Sequence, residues 1–288
     1  VNASLLRVAA AQYPIEFLPA WAAFEAKIVR WVGDAADRGA RFLLFPEYHS
    51  LELASLCPEE VRRSPPRQLT AMQQFLPEFL SLHQRLADEK DLHILAGTFP
   101  VLDGAAYRNR AHLFRPRRPV TFQDKRLMTR FERERWGVSP GKSLAPLATD
   151  WGPVGVAVCY DSEFPLVARS LVDAGAWILL VPSCTDTLAG HHRVRIGCQA
   201  RALENQCYVV QSSTVGEAPW SDAVDVNIGA AAVYAPPDNG FPDDGVVARG
   251  ELNKPQWVYA EVDPARMEAV RRDGQVFNHR DWTRQSAG

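Results

Sequence analysis

Three side chains suited to acyl transfer each stand at the end of a strand-like run in this sequence. Cys159 follows Gly152, Pro153, Val154, Gly155, Val156, Ala157 and Val158, an apolar run that reads as a buried strand. Tyr160, Asp161, Ser162, Glu163, Phe164 and Pro165 come next, and Pro165 is placed to open a helix. A thiol in a sharp turn between strand and helix sits where open α/β folds present nucleophiles, and N–H groups of such a turn can stabilise an anion. The plainer alternative is a small core residue, because free cysteine is among the most buried residue types. Glu47 ends a second run, Arg41, Phe42, Leu43, Leu44, Phe45 and Pro46, and Lys125 ends a third, Phe122, Gln123 and Asp124. If these strands are neighbours in one sheet, carboxylate, ammonium and thiol converge at its edge. The carboxylate can then take the thiol proton, the thiolate attack a carbonyl or nitrile carbon, and the ammonium stabilise the oxyanion.

Positioning these groups requires alternating strands and helices. Strands are expected over 5–11, 41–45, 92–99, 107–114, 120–124, 155–158, 177–181, 208–213, 228–234 and 257–262. Helices are expected over 19–38, 69–90 (with an irregular start because of Pro77), 165–174, 192–206 and 264–272. Residues 126–141 read as a charged loop. Strands outnumber what one doubly wound sheet needs, so two sheets packed face to face with helices outside fit the count.

The chain has 288 residues, 47% of them hydrophobic, enough for a large single core spanning 1–288. Its body is about 5–263, with a C-terminal extension over 264–288. No linker or fixed-period repeat divides it. A formal net charge of -2, with 32 basic and 34 acidic residues, gives no reason to expect nucleic acid or a membrane surface. The apolar runs are far shorter than a membrane span. Arg7 interrupts what could be a leader's apolar region, and Val1 in place of Met leaves room for processing. Cys57, Cys159, Cys184, Cys198 and Cys207 are odd in number without CxxC spacing, which argues for reduced thiols and a cytoplasmic location. Cys184, Cys198 and Cys207 lie in or beside apolar segments and read as structural. His191 and His192 are adjacent and diverge on a helix, so no metal is expected there.

The order Glu47, Lys125, Cys159, in the contexts Phe45-Pro46-Glu47-Tyr48, Gln123-Asp124-Lys125 and Val158-Cys159-Tyr160-Asp161-Ser162-Glu163-Phe164-Pro165, resembles the nitrilase superfamily of carbon–nitrogen hydrolases. Arg7-Val8-Ala9-Ala10-Ala11-Gln12, the Ser139-Pro140-Gly141 turn and Arg201-Ala202-Leu203-Glu204-Asn205 extend the likeness over residues 6–263. It implies a four-layer α-β-β-α sandwich, self-association through the outer helices into a homodimer or larger homo-oligomer, and an amidase-like activity that uses no metal or organic cofactor. It also implies Glu47 as general base, Cys159 as nucleophile, and Lys125 with the Tyr160 N–H as oxyanion donors. The thiolate is expected to be favoured by Lys125 and by the helix start near Pro165. Lys125 is one of five lysines in an Arg-rich chain, and a compact ammonium suits an oxyanion better than a guanidinium fork.

Members of the family often carry a second Glu in the loop after the lysine. Glu132 and Glu134 compete for that place, and counting back from Pro140-Gly141 favours Glu134, which would orient Lys125 and the substrate nitrogen. The alternative makes it one of the alternating charges of residues 130–135. Tyr48, His49, Asp161, Thr185 and Asp186 are expected to line the pocket. Nitrilases of the family usually show Cys-Trp-Glu, whereas this chain has Cys159-Tyr160-Asp161, which favours small-molecule amides over nitriles. An amide-forming acyltransferase and a non-catalytic binding protein are the other readings. One thiol far more reactive than the other four would separate enzyme from binder.

Overall fold

The computed structural model describes residues 5–286. Val1 and the extreme ends of the expected 1–288 unit and 264–288 extension lie outside the described residues. In chain order the elements are β1 (Leu6–Pro14), α1 (Trp21–Asp37), β2 (Phe42–Leu44), α2 (Glu59–Arg62), α3 (Pro65–Met72), α4 (Leu76–Lys90), β3 (His93–Leu95), β4 (Phe99–Asp103), β5 (Ala106–Phe114), β6 (Thr121–Asp124), β7 (Leu147–Thr149), β8 (Gly152–Val156), α5 (Pro165–Asp173), β9 (Ile178–Ser183), α6 (Leu188–Asn205), β10 (Tyr208–Glu217), β11 (Val226–Asn227), β12 (Ala232–Tyr234), β13 (Val246–Arg249), β14 (Gln256–Val262), α7 (Pro264–Asp273) and α8 (Asn278–Asp281).

The strands form a continuous ladder that curls into two facing layers. One layer runs β6-β5-β3-β2-β1-β14, with β4 also paired to β5, and the other runs β7-β8-β9-β10-β12-β13. The layers join where the end of β1 pairs with β10, Gln12 opposite Ser213. Strand alternation divides the core. Val8, Ala10, Phe42 and Leu44 point between the sheets and share an apolar cluster with Val154, Val156, Leu180 and Val210. Ala9, Ala11, Leu43 and Phe45 point outward onto Phe24, Ile28 and Val32 of α1 and Phe79, Leu82 and Leu86 of α4. Helices α5 and α6 cover the second sheet through Ala168, Leu171, Val194 and Cys198. The result is the α-β-β-α sandwich.

Several boundaries depart from the sequence reading for physical reasons. The single strand expected over 92–99 is two, because Gly97 turns through φ +52°. A Cβ at Gly97 would strike the Pro46 carbonyl, so this glycine lets the end of β3 lie against the turn that carries Glu47. Pro77 lies in the first turn of α4, where a proline ring costs no helical hydrogen bond, and a short irregular turn separates α4 from α3. Strand β8 ends at Val156, before Cys159, and the expected loop over 126–141 contains a π-helical turn, Glu132–Trp136. Strands β7, β11 and β13 are short or polar and gave little periodic signal. Among the described residues no helix is long and apolar enough to cross a membrane.

The layer between α4 and the first sheet also holds buried imidazoles. His83 lies between the Phe79 and Phe114 rings, with its Nδ1 2.8 Å from the Phe79 carbonyl. Burial pushes it down from 6.5 to about 4. A folded-state value below the unfolded one means that the unfolded chain binds the proton first as pH falls. The stability tied to a neutral His83 is therefore complete above about pH 6.5 and is lost progressively towards pH 4, a difference of roughly 3 kcal/mol. In His83→Phe, chemical denaturation from pH 7.5 to 4.5 should show a shallower loss of unfolding free energy than in the parent. Equal slopes would mean that His83 does not carry this linkage.

Candidate active site

The carboxyl ends of β2, β8 and β9 and the end of β6 meet at one edge of the sandwich, where ligands of open α/β sheets commonly bind. Lys125 follows β6, and its backbone N–H donates to the Asn109 carbonyl at 2.8 Å. Its ammonium is 1% exposed and donates to Glu47 Oε1 at 2.8 Å and Glu132 Oε2 at 2.7 Å. Glu47 Oε2 accepts the Cys184 N–H at 3.1 Å, and its carboxylate lies near enough to the Cys159 thiol for the two groups to influence each other's charge. The Cys159 Sγ lies 3.7 Å from the Cys184 carbonyl. Glu47, Lys125 and Cys159 thus lie together at this edge.

Cys159 adopts φ +47°, in the left-handed region that costs a side-chain-bearing residue on the order of 1–2 kcal/mol. The surrounding turn holds it there. Ser162 Oγ donates to the Cys159 carbonyl at 2.6 Å, and the Asp161 carboxylate accepts the N–H groups of Val158 (3.2 Å), Arg126 (3.0 Å) and Leu127 (2.7 Å). Asp161 was expected to line the pocket. Instead it is a buried tie between the Cys159 turn and the segment that follows Lys125, with burial raising its carboxyl to about 6.

Helix α6 supports the turn from outside. A Cβ at Gly197 would come 2.8 Å from the Ser162 carbonyl, and Arg201 donates to that same oxygen at 3.0 Å.

The fourth acidic position differs from the expectation. Glu134 is half-exposed and pairs with Arg130 at 2.7 Å, while Glu132 is buried against Lys125. The wide π-helical turn puts Glu132 inward and Glu134 outward, a geometry the alternating charges of residues 130–135 do not reveal. Thr129 fixes Glu132 by donating its N–H and hydroxyl to Oε2, each at 2.9 Å. Tyr48, at φ +57°, donates its hydroxyl to Glu132 Oε1 at 2.8 Å and packs its ring on Trp136.

His49 does not join this cluster. It is stacked on Phe45 and packed against Tyr13, Phe79 and His83 in the outer core, where burial holds it well below its usual range. Thr185 Oγ1 donates to the Ile228 carbonyl at 2.6 Å, and Asp186 is exposed. Tyr160 is half-buried, its ring edge-on to Phe164.

Sequence reasoning missed two contributors. Asn109, fully buried, donates Nδ2 to Glu47 Oε1 (2.8 Å) and Glu132 Oε1 (3.0 Å). Its signal was a polar residue on the inward face of β5. Cys184 contributes its backbone N–H, which no side-chain pattern announces.

Burial raises the Glu47 carboxyl; Lys125 opposes that and Glu132 reinforces it. Burial would also raise Glu132, but Lys125 and the donors from Thr129 and Tyr48 outweigh it, and Glu132 lies below the ordinary range. Burial alone would lower Lys125, yet Glu132 and Glu47 hold it well above its usual value. The Cys159 thiol is pushed well up by burial and then by Glu47, against the pull of Lys125. The expected thiolate is therefore a neutral thiol at rest, and the turn of residues 159–163 separates Cys159 from the start of α5. Among the described residues no group of three or more His, Cys, Asp or Glu side chains is disposed to hold a metal ion.

The carbon-nitrogen hydrolase family model matches residues 7–272. A protein described as "Probable hydrolase YhcX" from Bacillus subtilis is 33% identical over 276 residues, covering 96% of this chain and 53% of that protein. The human deaminated glutathione amidase is 36% identical over 142 residues, 49% of this chain and 40% of that enzyme. The chain thus matches only about half the length of these relatives. Among solved structures, yeast Nit3, a member of the nitrilase superfamily, aligns with a TM-score of 0.71 at 21% identity, over 93% of both chains. An amidase from Nesterenkonia sp. aligns with a TM-score of 0.65 at 21% identity, over 98% of both. At that identity these structures speak for the fold.

Gly197 sets how closely α6 packs on the Cys159 turn. Alanine in a helix is favoured over glycine by about 1 kcal/mol, so Gly33→Ala on α1, where a Cβ meets nothing within 4 Å, should raise the melting temperature or leave it unchanged. Gly197→Ala has the same helical gain but must push the Ser162 backbone. It should lower both the melting temperature and the iodoacetamide reactivity of Cys159, and a Gly197→Ala protein matching Gly33→Ala in both would refute the contact.

Proposed function

Because the chain belongs to the carbon–nitrogen hydrolase family, we propose that it hydrolyses the carbon–nitrogen bond of a small-molecule amide through a thioester on Cys159. The observation that carries this reading is the buried Lys125 ammonium held between Glu47 and Glu132 beside the Cys159 thiol.

Glu47 takes the thiol proton as sulfur attacks the amide carbon. An ammonium has three N–H bonds, and two of Lys125's are spent on the carboxylates. The third is available to the developing oxyanion, together with the Tyr160 N–H. Collapse of the tetrahedral adduct breaks the carbon–nitrogen bond, and the amine leaves with the proton Glu47 took. Glu47 then deprotonates water, which attacks the thioester and releases the acid and the Cys159 thiol. Glu132 keeps Lys125 charged and placed, the role first assigned to Glu134.

The split between the carboxyls supports this division of labour. Where the surroundings push two acids apart, the raised one is suited to exchanging protons and the lowered one stays ionised. The amidase relatives support amides as the substrate class. Leu166 on α5 and Ile196 and Leu203 on α6, all exposed, support self-association through those helices. The free cysteines are in keeping with a cytoplasmic location.

Ammonia release should be screened over a panel of amides, carbamoyl compounds and nitriles, with amides expected to respond. Cys159→Ala should abolish turnover while remaining folded. Full turnover in that variant would end the proposal. Glu47→Gln should slow both half-reactions on the order of 100-fold or more, because Gln cannot accept the proton. Its thioester, followed by intact-protein mass spectrometry, should outlast that of the parent. Activity needs Glu47 ionised and is lost as pH falls through its raised pKa. The acid limb of kcat/KM should accordingly lie above the ordinary Glu value of about 4.3, and a limb at or below that value would remove Glu47 as base.

A further inference from the structure

We propose that Asn109 is a positioning residue that holds the two carboxylates on Lys125 and directs the Cys159 proton to Oε2 of Glu47. The proposal rests on reading Glu47 as the base for Cys159.

A carboxylate oxygen has two lone pairs in its plane. Both of those on Glu47 Oε1 are occupied, by Lys125 Nζ and by Asn109 Nδ2, each at 2.8 Å. Oε2 accepts the Cys184 N–H at 3.1 Å, which leaves it one lone pair for the thiol proton. The other Asn109 amide hydrogen goes to Glu132 Oε1 at 3.0 Å. The NH₂ group is thus fully spent on the two acids, while the Asn109 carbonyl oxygen is buried without a partner. An amide nitrogen between two anions also fixes which way this side chain points, because the reverse orientation would face an oxygen towards both. The same residue's backbone carbonyl receives the Lys125 N–H, so Asn109 grips the lysine at its backbone and through its counter-ions.

The charged and titratable groups around Glu47 are Lys125 from the end of β6, Glu132 from the π-helical turn and Cys159 from the nucleophile turn. Tyr48 and Cys184 lie just beyond them. Asn109 is the neutral donor set among them. Without it, two carboxylates share a single ammonium with fewer donors, and Glu47 holds its proton to higher pH.

The test is the pH dependence of Cys159 alkylation by iodoacetamide, read by peptide mass spectrometry, alongside the kcat/KM profile on a responding amide. In the parent, alkylation should rise as Glu47 ionises, and Glu47→Gln should lose that inflection. In Asn109→Ala the inflection should move up by about one pH unit, and further in Asn109→Asp, which adds a third carboxylate. Asn109→Ala introduces no charge and serves if the Asp variant does not fold. Thermal melting identifies the folded variants. An inflection unmoved in a folded variant, or one that survives in Glu47→Gln, would overturn the proposal. Alkylation needs no amide substrate, so the two readings fail separately. If no amide is turned over but the inflection moves, the hydrolase reading falls and the positioning role stands. If turnover is found and neither profile moves, the positioning role falls alone.

Discussion

A buried ammonium dictates the layout of this site. Lys125 is almost wholly out of water, where an unpaired cation would cost several kcal/mol. One carboxylate would satisfy it and leave the site neutral. Two leave a net negative charge in a low dielectric, and that excess has to be eased by donors. The chain supplies them from every side: Asn109 from β5, Thr129 and Tyr48 on Glu132, and the Cys184 N–H on Glu47. Glu132 receives more of these donors than Glu47, and the two carboxyls titrate in opposite directions from the ordinary range. Their difference comes from placement, since the side chains are chemically the same.

The sandwich makes that placement possible because strands of both layers end at one edge. Close backbone approaches then set the positions. Gly97 lets β3 reach the Glu47 turn, and Gly197 lets α6 lie on the Cys159 turn. The Asp161 carboxylate ties the Lys125 segment to the Cys159 turn through three backbone N–H groups. Thiol and ammonium are therefore held by the same carboxylate, and any drift of one strand end is opposed at the other. The left-handed conformation of Cys159 is tolerated for the same reason, since the surrounding bonds over-determine it.

Much of this was legible in the sequence. Strand ends show where an apolar run gives way to a polar residue, so Glu47, Lys125 and Cys159 could be read as edge residues before any geometry was available. The layered arrangement followed from the number of strands and their alternation with helices. What could not be read depends on turns wider or tighter than regular periods. Glu132 and Glu134 are indistinguishable by charge pattern, and the π-helical turn alone separates them. His49 stands two residues from Glu47 but points into the opposite core, because the left-handed Tyr48 reverses the chain between them. Asp161 has the type of a ligand-binding residue, yet its partners are backbone N–H groups brought close by the fold. Asn109 was hidden because one polar residue in a strand carries no pattern.

The resting state of the thiol changes how the proposed chemistry must begin. A positive neighbour alone would favour a thiolate, and the sequence reading expected one. Burial acts against any charge on sulfur, and the Glu47 carboxylate repels it, so the thiol keeps its proton. A free thiolate would be the stronger standing nucleophile but would add a further negative charge beside two carboxylates. Moving the proton onto Glu47 as sulfur attacks leaves the number of charges in the cluster unchanged, because negative charge passes from the carboxylate to the substrate oxygen. In the proposed chemistry Lys125 and the Tyr160 N–H meet it there. In this arrangement the electrostatics that keep the nucleophile neutral without substrate also favour passing its proton to the nearby carboxyl group, the one raised by its surroundings.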